Sequence, residues 1–587
     1  MTAADFGAEL FLGRLRTGLL ALPVGAADRI DDADERFLAE LREFCATRVD
    51  GHRIEREDSV PDEVIEGLKD IGAFAVKLPR EYGGLGLSGV CYHRALMTVS
   101  SVHSSLGELL AAHQAIGLPQ PLVLFGTERQ KQQFLPRCVR EISAFTLTEP
   151  DLGNDPFRVH TTAVLDRATD TYTLDGVKLW ATNGVIADLL VVIARVPESA
   201  TGPGGLTAFV VEADDPGVTV EHRSSFLGLR GLENGVIRLH DVTVPALNRI
   251  GAEGAGLDIA LAAQDTGRLS LPAVCAAAAK WCVRIARQWS GARMQGGRPI
   301  GTYDAVAGKL SYMAATAFAL EAMVEVTGHH ADRGDRDTRL EAELAKLFAA
   351  EQAWLVADDL MQIRGGRGYE TAESAVARGE RGVPVERLLR DLRIGRIFDG
   401  STEALGSYLA EAVLARHRDA EESATPVPDD AVLTGPLAPH RRYAAGAAAR
   451  LADLFREFAR LPGDTAVTAH QRSLCRLIDI GAELYAMTAS CAYAEALVGR
   501  GEAPLELADA FCTQSRHRVE SLFSRVGENS DARDRDIARH LLARRYAWLE
   551  EGVIDTSVDG PWIAEPKPGP ATGPNLRRTV PRRRSTP

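Results

Sequence analysis

The sequence predicts a multidomain α+β protein: an N-terminal α-helical domain, a central antiparallel β-barrel or sandwich, a C-terminal helical bundle and an extra C-terminal helical domain. Three observations predict it. From about Asp32 to Phe145 apolar residues recur at helical spacing, as in Phe37, Leu38, Leu41 and Phe44, then Val64, Ile65, Leu68 and Ile71. From Thr146 to about residue 250, short apolar runs alternate with Gly and Pro. After Gly256 long helical segments return, then return again beyond a stretch carrying Pro, Asp and Ser.

In order, residues 1–35 form an N-terminal arm, with Phe6, Leu10, Phe11 and Leu15 on one helical face that Pro23 ends. The helical domain takes 36–145; Gly83-Gly84-Leu85-Gly86 interrupts it, and Ala95–Leu122 reads as one or two buried helices. In the β domain, 146–255, Tyr172–Trp180 alternates around Asp175-Gly176, a hairpin signal. Leu189–Ala194, Thr207–Glu212, Val218–His222 and Val236–Leu239 add strands. Leu257–Gly291, Tyr303–His329 and Leu340–Gln362 build the bundle, 256–416, on the pattern of a four-helix type. Residues 417–440 read as a linker, 441–560 as a helical extension and 561–587 as a disordered basic tail.

A net charge of −14 gives no electrostatic case for nucleic-acid binding. The 8 cysteines are scattered without a CxxC pair, so buried free thiols in a reducing cytoplasm are expected, with no metal site. No run reaches transmembrane length, and no basic region precedes an apolar one at the N-terminus.

The stretch Arg390–Glu403 is a candidate to carry the chemistry. Leu392, Ile394, Ile397 and Phe398 make it too apolar for a surface linker, and a carboxylate beside Phe398 on a Gly-containing turn suits a partly desolvated base. Alone, the same stretch also reads as a helix C-terminus followed by a Ser or Thr cap supported by Glu403.

Six segments in order resemble the acyl-CoA dehydrogenase family. Thr146-Leu147-Thr148-Glu149-Pro150-Asp151-Leu152-Gly153-Asn154-Asp155 resembles its TEPxxGSD segment, and Trp180-Ala181-Thr182-Asn183-Gly184 its WITNG. Gly228-Leu229-Arg230-Gly231 followed by Asp241–Pro245, Arg293–Ile300 (RxQFGxPI) and Gln362–Tyr369 (QxxGGxGY) follow, and Arg390–Glu403 resembles RDxRIxxIYEGTxE. The extension and Leu10–Arg14 resemble the very-long-chain branch. There the extension takes the place of a second dimer, which implies a homodimer rather than a tetramer.

The resemblance implies α,β-dehydrogenation of an acyl thioester, medium to long in chain, with FAD as cofactor and Asp399 taking the α-proton. It implies that Thr148 and Thr182 hydrogen-bond the flavin with Trp180 packed against it, and Trp180 serves equally as a core aromatic. Arg293 and Gln295 would meet the FAD pyrophosphate or adenosine. Gln362, Gly365 and Gly366 would reach the FAD of the neighbouring subunit, the glycines also suiting a helix C-cap. Thr402 and Glu403 would complete the flavin-side loop, Asn154, Phe398 and Gly400 would border the substrate, and Arg268 would order the catalytic loop through a carboxylate. Acyl-CoA, electron-transfer flavoprotein and weak membrane contact are the implied partners.

Three departures stand out. Asp399 replaces the usual Glu, drawing the carboxylate back by about 1.5 Å, and Gly267 leaves no base at the position other branches use. Gly296 replaces a Phe whose burial is worth roughly 1.5–3 kcal/mol. Arg364 adds charge near the pyrophosphate. The same fold with FAD also serves a flavin monooxygenase, an oxidase acting on a carrier-protein substrate, or a catalytically degenerate homologue.

Overall fold

A computed structural model describes residues 5–25, 31–199, 202–334, 337–419, 435–462, 465–501 and 503–565. The linker expectation falls mainly on 420–434 and the basic-tail expectation on 566–587, both outside the described residues.

Helix α1, Phe6–Phe11, is capped by Asp5, whose Oδ1 accepts from Ala8 N at 3.1 Å. Its apolar face is buried against the C-terminal extension, with Phe11 edge-on to Phe455 at 5.6 Å. The helix stops at Phe11, well before Pro23, because Gly13 turns the chain with φ 82°.

The N-terminal domain comprises α2 (Asp32–Arg48), α3 (Gly51–Glu57), α4 (Asp62–Asp70), α5 (Gly89–Ser100), α6 (Ser104–Ala111), α7 (Pro119–Phe125) and α8 (Glu128–Phe134). The stretch expected as one or two helices is thus broken further, and a π-turn at Ala112–Ile116 separates α6 from α7. Such turns recur at functional sites. Here the turn aims the His113 ring at the β domain: Nδ1 accepts from Ser143 N at 3.0 Å and Nε2 lies 2.9 Å from Cys138 O. Burial lowers His113 to about 4 and His93 to about 3. Between pH 6.5 and 4 the unfolded chain therefore binds protons that the fold refuses, and stability falls as pH falls. Each imidazole contributes a slope of up to about 1.4 kcal/mol per pH unit. Urea titrations from pH 7 to 4.5 are expected to show a falling midpoint, with a shallower slope in His93→Gln.

The β domain contains β1 (Ser143–Thr146), β2 (Thr162–Asp166), β3 (Thr171–Thr182), β4 (Leu189–Val196), β5 (Gly205–Glu212), β6 (Val218–Arg223), β7 (Asn234–Pro245) and β8 (Arg249–Ile250). They pair in the order β6-β7-β3-β2-β4-β5-β8. The pairing is mainly antiparallel, but β1 runs parallel to β4, as β2 does at Thr162 and Arg195. Strand β4 is apolar on both sides because both are covered: Leu189, Val191 and Ile193 meet the N-terminal helices, Leu190, Val192 and Ala194 the second layer of strands.

The hairpin expected at Asp175-Gly176 is absent. Strand β3 runs straight through, and the pair forms a bulge against β7. Asp175 Oδ1 takes the Asp241 amide at 3.0 Å, and a Cβ on Gly176 would come within 2.3 Å of Thr161 Oγ1. Gly is there for close approach, not for a turn.

The bundle is formed by α9 (Gly256–Gly267), α10 (Ser270–Ala292), α11 (Asp304–Arg333) and α12 (Arg339–Arg364), with α13 (Gly366–Tyr369), α14 (Ala372–Ala377), α15 (Val385–Arg393) and α16 (Thr402–Asp419). The helical segment expected over Leu257–Gly291 is two helices that part at Arg268-Leu269, because Pro272 has no N–H to offer the Arg268 carbonyl. The extension, α17 (Ala438–Ala459), α18 (Thr465–Ala496), α19 (Ala503–Gly527) and α20 (Asp531–Leu542), continues the same hydrophobic core as the bundle and α1. No helix among the described residues is long and apolar enough to cross a membrane.

Candidate active site

Between α15 and α16 the chain makes a short 3-10 turn, Ile394–Arg396, and then reverses through two successive left-handed residues, Asp399 (φ 51°) and Gly400 (φ 82°). Asp tolerates that region better than longer side chains do. The short carboxylate therefore suits the backbone that carries it.

Two buried cations hold this reversal by its carbonyls. Arg268, at the break between α9 and α10, donates from Nη1 to Asp399 O at 2.5 Å, while its Nε is oriented by Glu343 at 3.0 Å. Lys346 of α12 donates to Phe398 O at 3.1 Å and Gly400 O at 2.5 Å. Three consecutive carbonyls are thus fixed, and the Asp399 side chain, half-buried, is left without a hydrogen-bond partner among the described residues. Burial lowers Lys346 to about 8, against the opposing pull of Asp399. The carboxylate expected to pair with Arg268 is Glu343.

A second carboxyl lies within electrostatic reach. Glu108 of α6 is buried, and burial together with the Asp399 charge raises it to about 8. Lys346 and Glu108 escaped the sequence reading. The only signal was a lone charge inside an apolar helical run, Leu344 to Phe348 and Leu106 to Leu110.

On the β domain, Thr148, Trp180 and Thr182 are drawn to one end of β3. The Leu179 amide donates to Thr148 O at 2.8 Å, and Asn234 Nδ2 donates to Trp180 O at 3.0 Å and Thr182 Oγ1 at 3.1 Å. Trp180 is left-handed (φ 56°) and mostly exposed, so it is not a core aromatic. Asn183 ties this end to α6 through Leu109 O at 3.0 Å. Beneath it lies a buried ion pair: Lys178 Nζ meets Glu149 Oε1 at 2.7 Å, and Glu149 also accepts from the His160 and Thr161 amides. Removing one partner leaves the other charge buried and alone, so Lys178→Met is expected to cost about 3–5 kcal/mol by denaturant titration. Asn154 stands exposed on the loop after Glu149.

A third group forms an anion-seeking cleft of about 530 Å³. Arg293, the C-cap of α10, and Gln295, on the hairpin β9 (Met294–Gln295) and β10 (Arg298–Pro299), face Gly365 and Gly366 beyond α12. The Trp289 ring carries three guanidinium groups, Arg364 at 4.5 Å and Arg293 and Arg367 at 5.8 Å. Arg364 Nε is buried with no hydrogen-bond partner among the described residues. Gly365 has φ 61°, and a Cβ on either glycine would touch nothing within 4 Å, which leaves the backbone open to a ligand. Gln362 lies exposed on the preceding turn, outside the cleft wall. The room vacated at Gly296 is taken by Tyr303, whose hydroxyl would lie 2.3 Å from a Cβ there and donates to Gln295 O at 2.9 Å. An array of cations around open backbone fits a pyrophosphate.

Thr402 donates to Glu351 at 2.8 Å, beside Arg396 at 2.7 Å, so its hydroxyl proton is committed to α12; Glu403 is exposed on the first turn of α16.

The chain matches three family models, described as the acyl-CoA dehydrogenase N-terminal domain over residues 31–141, middle domain over 144–242 and C-terminal domain over 254–414. It is 50% identical to a probable acyl-CoA dehydrogenase, FadE10, of Mycobacterium tuberculosis, over 98% of this chain and 94% of that one. It is 29% identical to the mitochondrial very long-chain specific acyl-CoA dehydrogenase of Bos taurus, over 94% and 88%. A Bacillus anthracis acyl-CoA dehydrogenase solved with FAD shares the fold, with TM-score 0.73 and 24% identity over 87% of this chain and 91% of that one. The chain belongs to the acyl-CoA dehydrogenase family, FAD-binding oxidoreductases that act on CH–CH groups.

Proposed function

We propose that this protein dehydrogenates a medium-to-long-chain acyl-CoA at its α and β carbons, with Asp399 as the base. The supporting observation is the grip of Arg268 and Lys346 on the carbonyls either side of and at Asp399, which leaves only the carboxylate free to act. Asp399 takes the α-proton, and Phe398 and Gly400 border the thioester, with Asn154 at the mouth. FAD, when bound, accepts the β-hydrogen as hydride. Thr148, Trp180 and Thr182 are the residues to hold its ring, and Thr402 and Glu403 close the loop beside it. Arg293 and Gln295 hold its pyrophosphate and adenosine, and Gln362, Gly365 and Gly366 serve the neighbouring subunit's cofactor. A homodimer that passes electrons to an electron-transfer flavoprotein, with weak membrane contact, completes the reading. Anaerobic titration of the holoenzyme with acyl-CoAs of increasing length tests it. Bleaching of oxidised flavin is expected, strongest for medium-to-long chains; no bleaching at any length would overturn the reading.

A further inference from the structure

The turn that carries Asp399 is held from outside as well as from within. Glu351 of α12 accepts from Arg396 Nε at 2.7 Å and from Thr402 Oγ1 at 2.8 Å, both on the same carboxylate oxygen. Arg396 and Thr402 are the two shoulders of the reversal at Asp399-Gly400, so one side chain fixes both of its ends. The Arg396 guanidinium also lies over the Trp354 ring, 5.6 Å from its centre. A shift of Glu351 would therefore move the loop and disturb an aromatic ring beside it.

The extension reaches this point. Gln471, Cys475 and Asp479 of α18 follow one another at four-residue spacing and share one face of the helix. Gln471 Nε2 donates to Ser407 Oγ at 2.7 Å, and that hydroxyl donates to Glu403 O at 2.9 Å in the first turn of α16. The Cys475 sulfur lies against Gly406, where a Cβ would stand 3.2 Å from it. One turn further on, Asp479 is partly buried and has no hydrogen-bond partner among the described residues. Glu351 of α12 and Glu483 of α18 face it with like charge, Arg476 of α18 and Arg525 of α19 with opposite charge. On α16 the nearby acid is Glu403, which acts on Cys475. Neither cation is placed to neutralise Asp479: Arg476 makes a two-point pair with Asp531 of α20 at 2.7 Å, and Arg525 is exposed. Glu483 has its own partner in Arg518 of α19, at 2.5 and 2.9 Å. Burial, with the charges of Glu351 and Glu483, raises Asp479 to about 7.

We propose that Asp479 of the extension is a positioning residue for the catalytic turn, acting on Asp399 through Glu351. While Asp479 is protonated, Glu351 is left to Arg396 and Thr402, and the turn is held at both shoulders. Once Asp479 ionises, a second negative charge stands beside Glu351, and the repulsion loosens that hold. The inference rests on Asp399 as the base and adds the extension to the groups that aim it.

The pH profile of flavin bleaching by an acyl-CoA tests it in the full-length holoenzyme, with flavin content as the check on folding. The wild-type rate is expected to fall about tenfold as pH rises through about 7, a fraction of the about 100-fold that a 1 Å misplacement costs. This fall is distinct from the loss of the Lys346 ammonium at about 8. Asp479→Asn, which stays neutral, is expected to match the wild type at pH 6 and to lack the fall, and Asp479→Glu to restore it. Glu351→Gln is expected to be slower at every pH, again without the fall. A second readout needs no turnover. The tryptophan emission of the wild type minus that of Trp354→Phe is expected to change through about pH 7, and to stay constant when both carry Asp479→Asn. A fall in rate that persists in Asp479→Asn, the same emission change with and without Asp479, or neither change in the wild type would overturn the role of Asp479. An emission change that depends on Asp479, in an enzyme whose flavin no acyl-CoA bleaches, would support the link through Glu351 and sink the reading of Asp399 as the base.

Discussion

Asp399→Asn is expected to slow flavin bleaching by an acyl-CoA by about 10²- to 10⁴-fold, the range that a positioned general base contributes. The variant keeps the size and the left-handed tolerance of Asp, so the turn at φ 51° and its three bound carbonyls persist. FAD content and acyl-CoA affinity are therefore expected to change little. Anaerobic stopped-flow reduction, with bound flavin quantified in the same samples, separates the loss of the base from loss of the cofactor.

Lys346→Met is expected to lower kcat about 100-fold, with a smaller change in KM. The substitution keeps bulk in the core but releases the Phe398 and Gly400 carbonyls, and a 1 Å drift of a base is enough for a loss of that order. A merely structural role would lower stability and leave the pH profile unchanged. The charge of Lys346 adds a second readout. Burial lowers it to about 8, with Asp399 and Glu343 opposing the shift and Arg268 adding to it. The ammonium is present below that pH and lost above it, so the wild-type rate is expected to decline as pH rises through about 8. That limb is expected to be absent from Lys346→Met and displaced upward in Lys346→Arg, whose cation does not titrate there.

The order of helical, β and helical blocks was legible because each block imposes its own periodicity over many residues. Local turn chemistry was less reliable. Asp175-Gly176 has the composition of a hairpin, yet its Gly is required by the approach of Thr161, just before β2, a contact 15 residues away in sequence that no window reveals. The break at Arg268 lies inside a continuous run of helical periodicity, and only the resemblance, which starts a bundle helix at Arg268, and Pro272 mark it. Motif resemblance picked out Asp399 and Arg268, and the structure joins them through a backbone carbonyl rather than a side-chain pair. Lys346 and Glu108 were illegible, since a single charge in an apolar helix states nothing about what it faces. The apparent fault at Asp399, a carboxylate too short, reads differently once φ is known, because the turn favours the shorter residue.

The most direct test of Asp399 as the base is the rate of anaerobic flavin bleaching by acyl-CoA carrying deuterium at the α-carbon. A primary isotope effect is expected in the wild type, together with bleaching too slow to follow on that timescale in Asp399→Asn. Equal rates with protium and deuterium, with undiminished bleaching in Asp399→Asn, would contradict it.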